Sequence, residues 1–217
     1  MKVIAINASP RKKWNTATLL EHALKGAEEA GAQTELIHLI DLKFSGCVSC
    51  FGCKKLNKDN ETTRFCALKD ELTPVLEKIM SSNVILLGSP IYINDVTGLF
   101  RNLIERLAFM NISYGKYRNI PFDGKISAGL FYTTNAPQSA VNEMYMNKFE
   151  EHGSLFKRIF NADYEIYTAT ETYQFDDYSK YDTSNFDVES RKKRREEQWP
   201  LDLKASFDIG KRLVEKY

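Results

Sequence analysis

The chain has 217 residues, of which 43% are hydrophobic, 12% aromatic and 27% charged, and its formal net charge is +1. This length fits one large domain, and the composition argues against a disordered, collagen-like or coiled-coil chain. The small net charge removes the electrostatic case for a dedicated nucleic-acid binder, which needs a basic face. No apolar run approaches the roughly 18 residues of a membrane span, and the start is too short in apolar residues for a signal peptide. We therefore expect a soluble, cytoplasmic protein with no membrane partner.

Short β-branched or aliphatic runs alternate with amphipathic helical patterns along the chain. The predicted strands cover residues 2–6, 36–40, 83–87, 125–131 and 164–168. The predicted helices have apolar faces within residues 19–27, 72–79, 96–107 and 201–214. This alternation implies an α/β fold with a doubly wound, five-stranded parallel sheet and helices on both faces, a three-layer α/β/α sandwich. We predict a single domain over residues 1–217.

Three long segments interrupt this alternation, namely residues 45–69, 114–124 and 171–199. The first is a Cys-rich insertion, and the last is a C-terminal extension whose aromatic residues interleave with acids. This aromatic content indicates packing, for example against another subunit, with disorder as the alternative. Within the extension, the basic run 191–195 is followed by Glu196 and Glu197, which favours a solvated helix with i,i+4 ion pairs over an anion site.

The segment from Asn7 to Thr16 lies between the first strand and the first helix, where a phosphate fits. Free backbone N–H groups and the helix dipole favour an anion at a helix start. Ser9, Asn15 and Thr16 can donate to its oxygens, and Arg11 or Lys12 adds positive charge. The simpler alternative is that Asn15 or Thr16 only caps the helix. Neither a Walker loop nor a Gly-x-Gly-x-x-Gly pattern is present, which disfavours ATP hydrolysis and a Rossmann NAD site.

The segment Gly88-Ser89-Pro90-Ile91-Tyr92-Ile93-Asn94 follows the third strand, beside the crevice where open sheets bind ligands. Its Gly and Pro fix a tight turn, and Tyr92 offers an aromatic edge to a planar heterocycle. A turn without a ligand is the alternative.

Together these two segments resemble the flavodoxin-like NAD(P)H-dependent FMN reductase family. The family's phosphate loop reads like Gly-Ser-Pro-Arg-Lys-x-x-Asn-Thr and its flavin loop reads Gly-Ser-Pro-x-Tyr. The resemblance covers most of the chain up to about residue 132 and reappears in the last helix, from Trp199 to Arg212. Two departures stand in the phosphate loop, where Ala8 replaces the usual Gly and Trp14 replaces a small residue.

The resemblance implies site residues for FMN in three loops. The residues implied for the phosphate are Ser9, Arg11, Asn15, Thr16 and Ala17. Those implied for the isoalloxazine ring are Pro90, Ile91, Tyr92 and Asn94, with a further flavin edge from Thr133, Thr134 and Asn135. We expect Tyr92 to act in catalysis by stacking or by positioning the substrate.

Cys47, Cys50 and Cys53 are spaced Cys-x-x-Cys-x-x-Cys directly after the second strand, and Cys66 follows farther along. Three thiolates at this spacing can face one iron-sulfur cube, and a fourth completes its ligand set. Zinc and cofactor-free thiols are the alternatives. The pattern looks like the iron-sulfur flavoprotein branch of the same family, in which a compact four-Cys motif binds a 4Fe-4S cluster. The gap before Cys66 is wider than that branch usually shows.

The resemblance implies an oxidoreductase in which bound FMN takes hydride from NAD(P)H and reduces a small-molecule acceptor, as flavin or quinone reductases do. The alternative is an iron-sulfur flavoprotein that carries electrons between ferredoxin-like partners through FMN and a 4Fe-4S cluster. A third hypothesis is a flavin-binding module without turnover. The family also implies a homodimer or homotetramer.

Overall fold

The computed structural model describes residues 1–58, 65–114, 122, 124–161 and 163–217, which form a mostly alternating series of strands and helices. The strands are β1 (Lys2–Asn7), β2 (Gln33–His38), β3 (Val84–Tyr92), β4 (Asp95–Val96), β5 (Ser127–Thr133) and β6 (Tyr164–Ala169). The helices are α1 (Asn15–Glu29), α2 (Thr73–Met80), α3 (Gly98–Asn111), α4 (Gln138–Met144), α5 (Met146–Phe160), α6 (Val188–Glu197) and α7 (Trp199–Glu215). Most of the predicted loop 114–124 lies outside the described residues. None of the helices in the described ranges is long and apolar enough to cross a membrane.

The sheet has the strand order β2-β1-β3-β5-β6, and all neighbouring pairs in this path are parallel. This order is that of flavodoxin-like folds, so the predicted doubly wound sheet is confirmed. Strand β4 was not predicted; it pairs antiparallel with the end of β3. Strand β2 begins and ends earlier than predicted, because the chain turns into a short 3₁₀ helix at Leu39–Asp41.

The sheet separates two apolar cores because alternate residues of a strand point to opposite faces. On β1, Val3 and Ala5 face a core formed with α1 and α7, whereas Ile4 and Ile6 face one formed with α2, α3 and α5. The predicted three-layer sandwich is therefore confirmed. Helix α5 was not predicted, although its Phe149, Phe156 and Phe160 are completely buried.

Helices α1 and α7 cross at two glycines that allow an unusually close approach. A Cβ atom at Gly26 would lie 1.9 Å from the carbonyl oxygen of Phe207, and one at Gly210 would lie 1.8 Å from that of Ala23. Both distances are far inside van der Waals contact, so any larger residue would push the helices apart. The crossing fixes α1, and with it the loop that precedes α1.

The basic run 191–195 forms helix α6, as predicted, and Lys192, Lys193, Glu196 and Glu197 are exposed, but two of its arginines pair with residues outside the helix. Arg194 pairs at 2.5 Å with the buried carboxylate of Asp202, and Arg191 pairs at 3.2 Å with Glu171. The side chains of both arginines are less than 15% exposed. These cations therefore attach the C-terminal extension to the body of the domain.

Candidate functional site

An open cleft lies at the carboxyl ends of the parallel strands, where β1, β3, β5 and β6 end next to one another. The strand register places Asn7 beside Gly88, Pro90 beside Thr133, and Thr133 beside Ala169. The cleft has a volume of about 180 Å³. It is lined by Ser9, Arg11, Trp14, Asn15, Thr16, Pro90, Ile91, Tyr92, Thr133, Thr134, Asn135, Thr172, Tyr173, Gln174 and Phe175. The structure thus gathers every predicted FMN residue except Ala17 and Asn94.

The loop after β1 is held in shape by side chains that accept hydrogen bonds from its own backbone. The Asn7 Oδ1 atom accepts from the Ser9 amide at 3.0 Å, and the Ser9 hydroxyl accepts from the Arg11 amide at 3.1 Å. The hydroxyl of Thr97, at the start of α3, donates to the Ala8 carbonyl at 2.8 Å. Asn7 and Thr97 are completely or almost completely buried, so the loop conformation is fixed before any ligand arrives.

Helix α1 begins without a side-chain cap. The N-cap position is Trp14, whose side chain makes no capping hydrogen bond, and the first turn contains no acidic residue. Asn15 and Thr16 do not cap the helix either: Asn15 donates to the Tyr173 carbonyl, and the Thr16 hydroxyl lies 2.8 Å from that of Thr133. The helix start therefore keeps its positive dipole end available for an anion in the cleft. Of the two candidate cations, Arg11 lines the cleft, whereas Lys12 pairs with Asp41.

Residues 172–175, called the covering segment below, lie across this loop. The carbonyl of Tyr173 accepts from Trp14 Nε1 at 3.0 Å and from Asn15 Nδ2 at 2.6 Å. The carbonyl of Gln174 accepts from Arg11 Nη1 at 2.5 Å. The aromatic extension therefore packs against the phosphate loop of its own chain, which confirms that it packs. Its packing against another subunit stays a prediction. Two of the groups predicted to bind a phosphate, Arg11 and Asn15, therefore donate to carbonyls of the chain in this arrangement.

The loop after β3 is a tight hairpin that presents Tyr92 to the cleft. Strands β3 and β4 pair through Tyr92 and Asp95, and the two turn residues Ile93 and Asn94 both have positive φ, at 49° and 61°. Such a turn twists the same way as its strands and is typical of two-residue hairpins. The Tyr92 side chain is about half exposed. Asn94 lies outside the cleft lining, because its Oδ1 atom accepts from the Tyr145 hydroxyl at 2.7 Å.

Ala17, the other predicted residue that the cleft lining lacks, is a fully buried residue in the first turn of α1. A role of Ala17 or Asn94 toward a flavin therefore remains a prediction.

The loop after β5 offers a buried acceptor to the cleft. The Asn135 Oδ1 atom is buried and has no hydrogen-bond partner within the part of the chain described. Its own backbone carbonyl accepts from Arg191 Nη2 at 3.1 Å, which holds the residue in place. A buried acceptor without a donor is costly, so this atom indicates a ligand that brings an N–H group. The N3–H group of an isoalloxazine ring is such a donor, and the residues present thus fit a flavin.

Sequence reasoning missed the residues that the C-terminal extension brings to the cleft. Besides the covering segment, Arg195 stacks 4.5 Å from the Trp199 ring centroid and donates to Asn15 Oδ1 at 3.3 Å. Arg191 and Arg195 are four apart, so one helical face carries both toward the cleft loops. That spacing was the available signal in the sequence, but it was interpreted as the pattern of a solvent-exposed helix.

The four cysteines line a second, smaller pocket beneath the Cys-rich insertion. All are free thiols; Cys53 is buried, Cys50 is exposed and the other two are intermediate. Among the described residues, no three His, Cys, Asp or Glu side chains lie close enough together to hold a metal ion. All four thiols nonetheless line one pocket, of about 10 Å³, and thiolates are the ligands of iron-sulfur clusters, so the chemistry of the donor set fits such a cluster. The pocket is lined by Cys47, Val48, Cys50, Phe51, Cys53, Cys66, Ala67, Leu68, Arg106, Phe109 and Met110.

Burial dominates the chemistry of this pocket. Burial raises the pKa of the Cys53 thiol, although the nearby Lys54 ammonium opposes that effect. The Lys54 ammonium itself donates to the carbonyls of Phe109, Met110 and Ile112 at the end of α3, and burial lowers its pKa. A buried, protonated thiol of this kind is a poor free nucleophile, whereas a metal deprotonates it on binding.

Comparison with known proteins points to one family. The sequence pattern of the family described as NADPH-dependent FMN reductase matches residues 1–159. An iron-sulfur flavoprotein of Archaeoglobus fulgidus is 35% identical over 130 residues, which are 60% of this chain and 60% of that protein. An iron-sulfur flavoprotein of Methanocaldococcus jannaschii is 31% identical over 155 residues, 71% of this chain and 75% of that protein. The chain therefore spans less than two thirds of the first of these relatives and three quarters of the second.

Solved structures show the same fold at low sequence identity. An NAD(P)H:quinone oxidoreductase from Methanothermobacter marburgensis superposes with a TM-score of 0.65 at 15% identity, over 98% of this chain and 96% of that one. An azoreductase from Bacillus anthracis gives a TM-score of 0.65 at 16% identity, over 97% and 99%. With the family pattern matched over residues 1–159, the chain belongs to the family described as NADPH-dependent FMN reductase.

Proposed function

We propose that the protein binds FMN in the cleft and uses it to transfer electrons from NAD(P)H to a small-molecule acceptor. The observation that carries this proposal is the convergence of three loops at one sheet edge. One loop supplies phosphate donors, one supplies Tyr92, and one supplies the unpartnered acceptor of Asn135. When bound, FMN accepts hydride from the nicotinamide and supplies the redox chemistry.

Each part of the cleft has a distinct task in this proposal. Arg11 and the uncapped start of α1 bind the phosphate, together with the amide of Asn15. Because the covering segment already accepts hydrogen bonds from Arg11 and Asn15, it shifts or shares these donors when phosphate binds. Asn135 orients the ring through its pyrimidine edge. Tyr92, half exposed at the rim, packs against the ring or the acceptor and so positions the substrate.

The test is a flavin spectrum of the purified protein, followed by NADH and NADPH oxidation with menadione as the acceptor under anaerobic conditions. Noncovalent FMN and turnover with either nucleotide support the proposal, whereas a protein that binds no FMN overturns it. Bound FMN without turnover would leave a flavin-binding module. Tyr92→Ala and Tyr92→Phe separate the ring from the hydroxyl: unchanged FMN affinity and turnover in both would remove the role of Tyr92.

The second candidate function is electron transfer through FMN and an iron-sulfur cluster. The specific observation in its favour is that Cys47, Cys50, Cys53 and Cys66 line one pocket, and their thiolates would hold the cluster. A bound 4Fe-4S cluster would supply one-electron transfer to a ferredoxin-like partner. Helix α3 connects the two sites, since it starts after the Tyr92 hairpin and carries residues of the cysteine pocket in its second half.

Iron and acid-labile sulfide assays on anaerobically purified protein separate the two functions. About four irons per chain with a broad absorption shoulder favour the electron carrier. Flavin bands without iron favour the NAD(P)H reductase, in which the four cysteines are free thiols. Light scattering on the same sample tests the expected homodimer or homotetramer.

A further inference from the structure

One charged side chain, that of Arg106, lines the cysteine pocket. The Arg106 side chain is completely buried, on the second half of helix α3. The residues that share the pocket with it carry thiols, the thioether of Met110, or hydrocarbon side chains. A buried guanidinium carries five N–H donors, so its surroundings must supply acceptors.

Two of its nitrogens have protein partners. The Nη1 atom donates to Asp70 Oδ2 at 2.5 Å, and Nη2 donates to the Leu68 carbonyl at 3.0 Å. The Nη1 atom also lies 3.4 Å from the Ser45 carbonyl. These contacts join the two ends of the Cys-rich insertion, one before Cys47 and one after Cys66.

The third nitrogen, Nε, is buried and has no hydrogen-bond partner within the described ranges. Leaving a buried donor unpaired costs roughly 1–3 kcal/mol, and more when the group is charged. In this pocket the remaining side-chain acceptors are sulfur atoms. The unpartnered Nε–H therefore indicates a sulfur-bearing, negatively charged occupant.

We propose that Arg106 donates through Nε to a sulfur of the cluster held by the four cysteines and offsets its negative charge. This role rests on the iron-sulfur reading given under the proposed function. Hydrogen bonds to sulfur and nearby charge are among the factors that set cluster potentials. Because a cation and an N–H donor stabilise the more negative, reduced cluster, Arg106 raises the reduction potential. Arg106 is thus a positioning and tuning residue, not a ligand.

Two variants should shift the reduction potential of the cluster in opposite directions. Arg106→Lys keeps the charge but lacks the Nε–H donor, so the potential falls. At the midpoint of the wild-type cluster, we expect the ratio of reduced to oxidised cluster to drop about tenfold, which for one electron is about 59 mV. Asp70→Asn keeps Arg106 and removes the negative charge that partly neutralises it, so the potential rises. Arg101→Lys is the matched control, since Arg101 is an exposed arginine on the same helix.

The experiment is anaerobic reconstitution with ferrous iron and sulfide, followed by an EPR-monitored redox titration, with thermal unfolding of each variant. A role confined to joining the insertion lowers thermal stability but moves neither potential in the stated direction, and it would overturn the proposal. If Arg106→Lys does not fold, the sign of the Asp70→Asn shift decides alone: a rise supports the proposal, and no change or a fall refutes it. If the wild-type protein binds FMN but no iron, both the cluster and this role of Arg106 are refuted, whereas the proposed reductase function is not.

Discussion

Replacement of Asn135 by leucine should affect the apo protein and the flavin complex in opposite directions. In the apo protein the Oδ1 atom is a buried acceptor without a donor in the described structure, and it carries the cost of its lost hydration. An apolar side chain of similar size removes that cost, so we expect apo Asn135→Leu to gain about 1 kcal/mol of unfolding free energy. In the complex the same change removes one ring hydrogen bond of about 1 kcal/mol, which is roughly a fivefold rise in the Kd of FMN.

Urea denaturation of the apo protein and fluorescence titration with FMN measure the two effects. Asn142→Leu is the matched control, because Asn142 is an exposed amide in the neighbouring helix α4 that does not line the cleft. We expect the control to leave FMN affinity unchanged. A less stable apo Asn135→Leu that binds FMN as tightly as the wild type would refute the assignment of Asn135 to the flavin ring.

Two further predictions concern the scaffold. Gly210→Ala should lower the free energy of unfolding by about 2 kcal/mol or more, because its Cβ would lie 1.8 Å from the Ala23 carbonyl oxygen. Gly98→Ala is the control and should not destabilise the protein, because the space around Gly98 is open. Thermal unfolding of the two variants measures the difference. Burial lowers the pKa of His152 to about 4 from an ordinary value of 6.5, so its contribution to stability is complete above about pH 6.5, falls as the pH drops toward 4, and is then lost. The total loss is about 3 kcal/mol, and denaturant unfolding across this range should show it in the wild type but not in His152→Gln.

The sequence predicted the sheet and the first two cleft loops well because both depend on local patterns. Buried parallel strands are continuous apolar runs, as in β1 and β3, and loops at strand ends must meet at one sheet edge. This geometry brings Ser9, Pro90 and Thr133 together without any knowledge of their side-chain contacts.

The contribution of the C-terminal extension could not be predicted in the same way, because it depends on contacts between distant parts of the chain. The Tyr173 carbonyl and the Trp14 indole are 159 residues apart in sequence. A backbone acceptor leaves no trace in residue type, so the aromatic residues of the extension indicated that it packs but not which loop it packs against. The partners of the α6 arginines were not predicted because the same spacing suits a helix with pairs along its own surface and one whose arginines pair with other parts of the chain.

The central claim is that the loop before α1 binds the phosphate of FMN. The most direct test is fluorescence titration of the apo protein with FMN and with riboflavin, which lacks the phosphate, in the wild type and in Arg11→Ala. Charge-assisted hydrogen bonds contribute roughly 1.5–3 kcal/mol each, so FMN should bind at least about 100-fold more tightly than riboflavin. Arg11→Ala should weaken FMN about tenfold or more and leave riboflavin unchanged. Equal affinities for FMN and riboflavin in the wild-type protein would contradict the account.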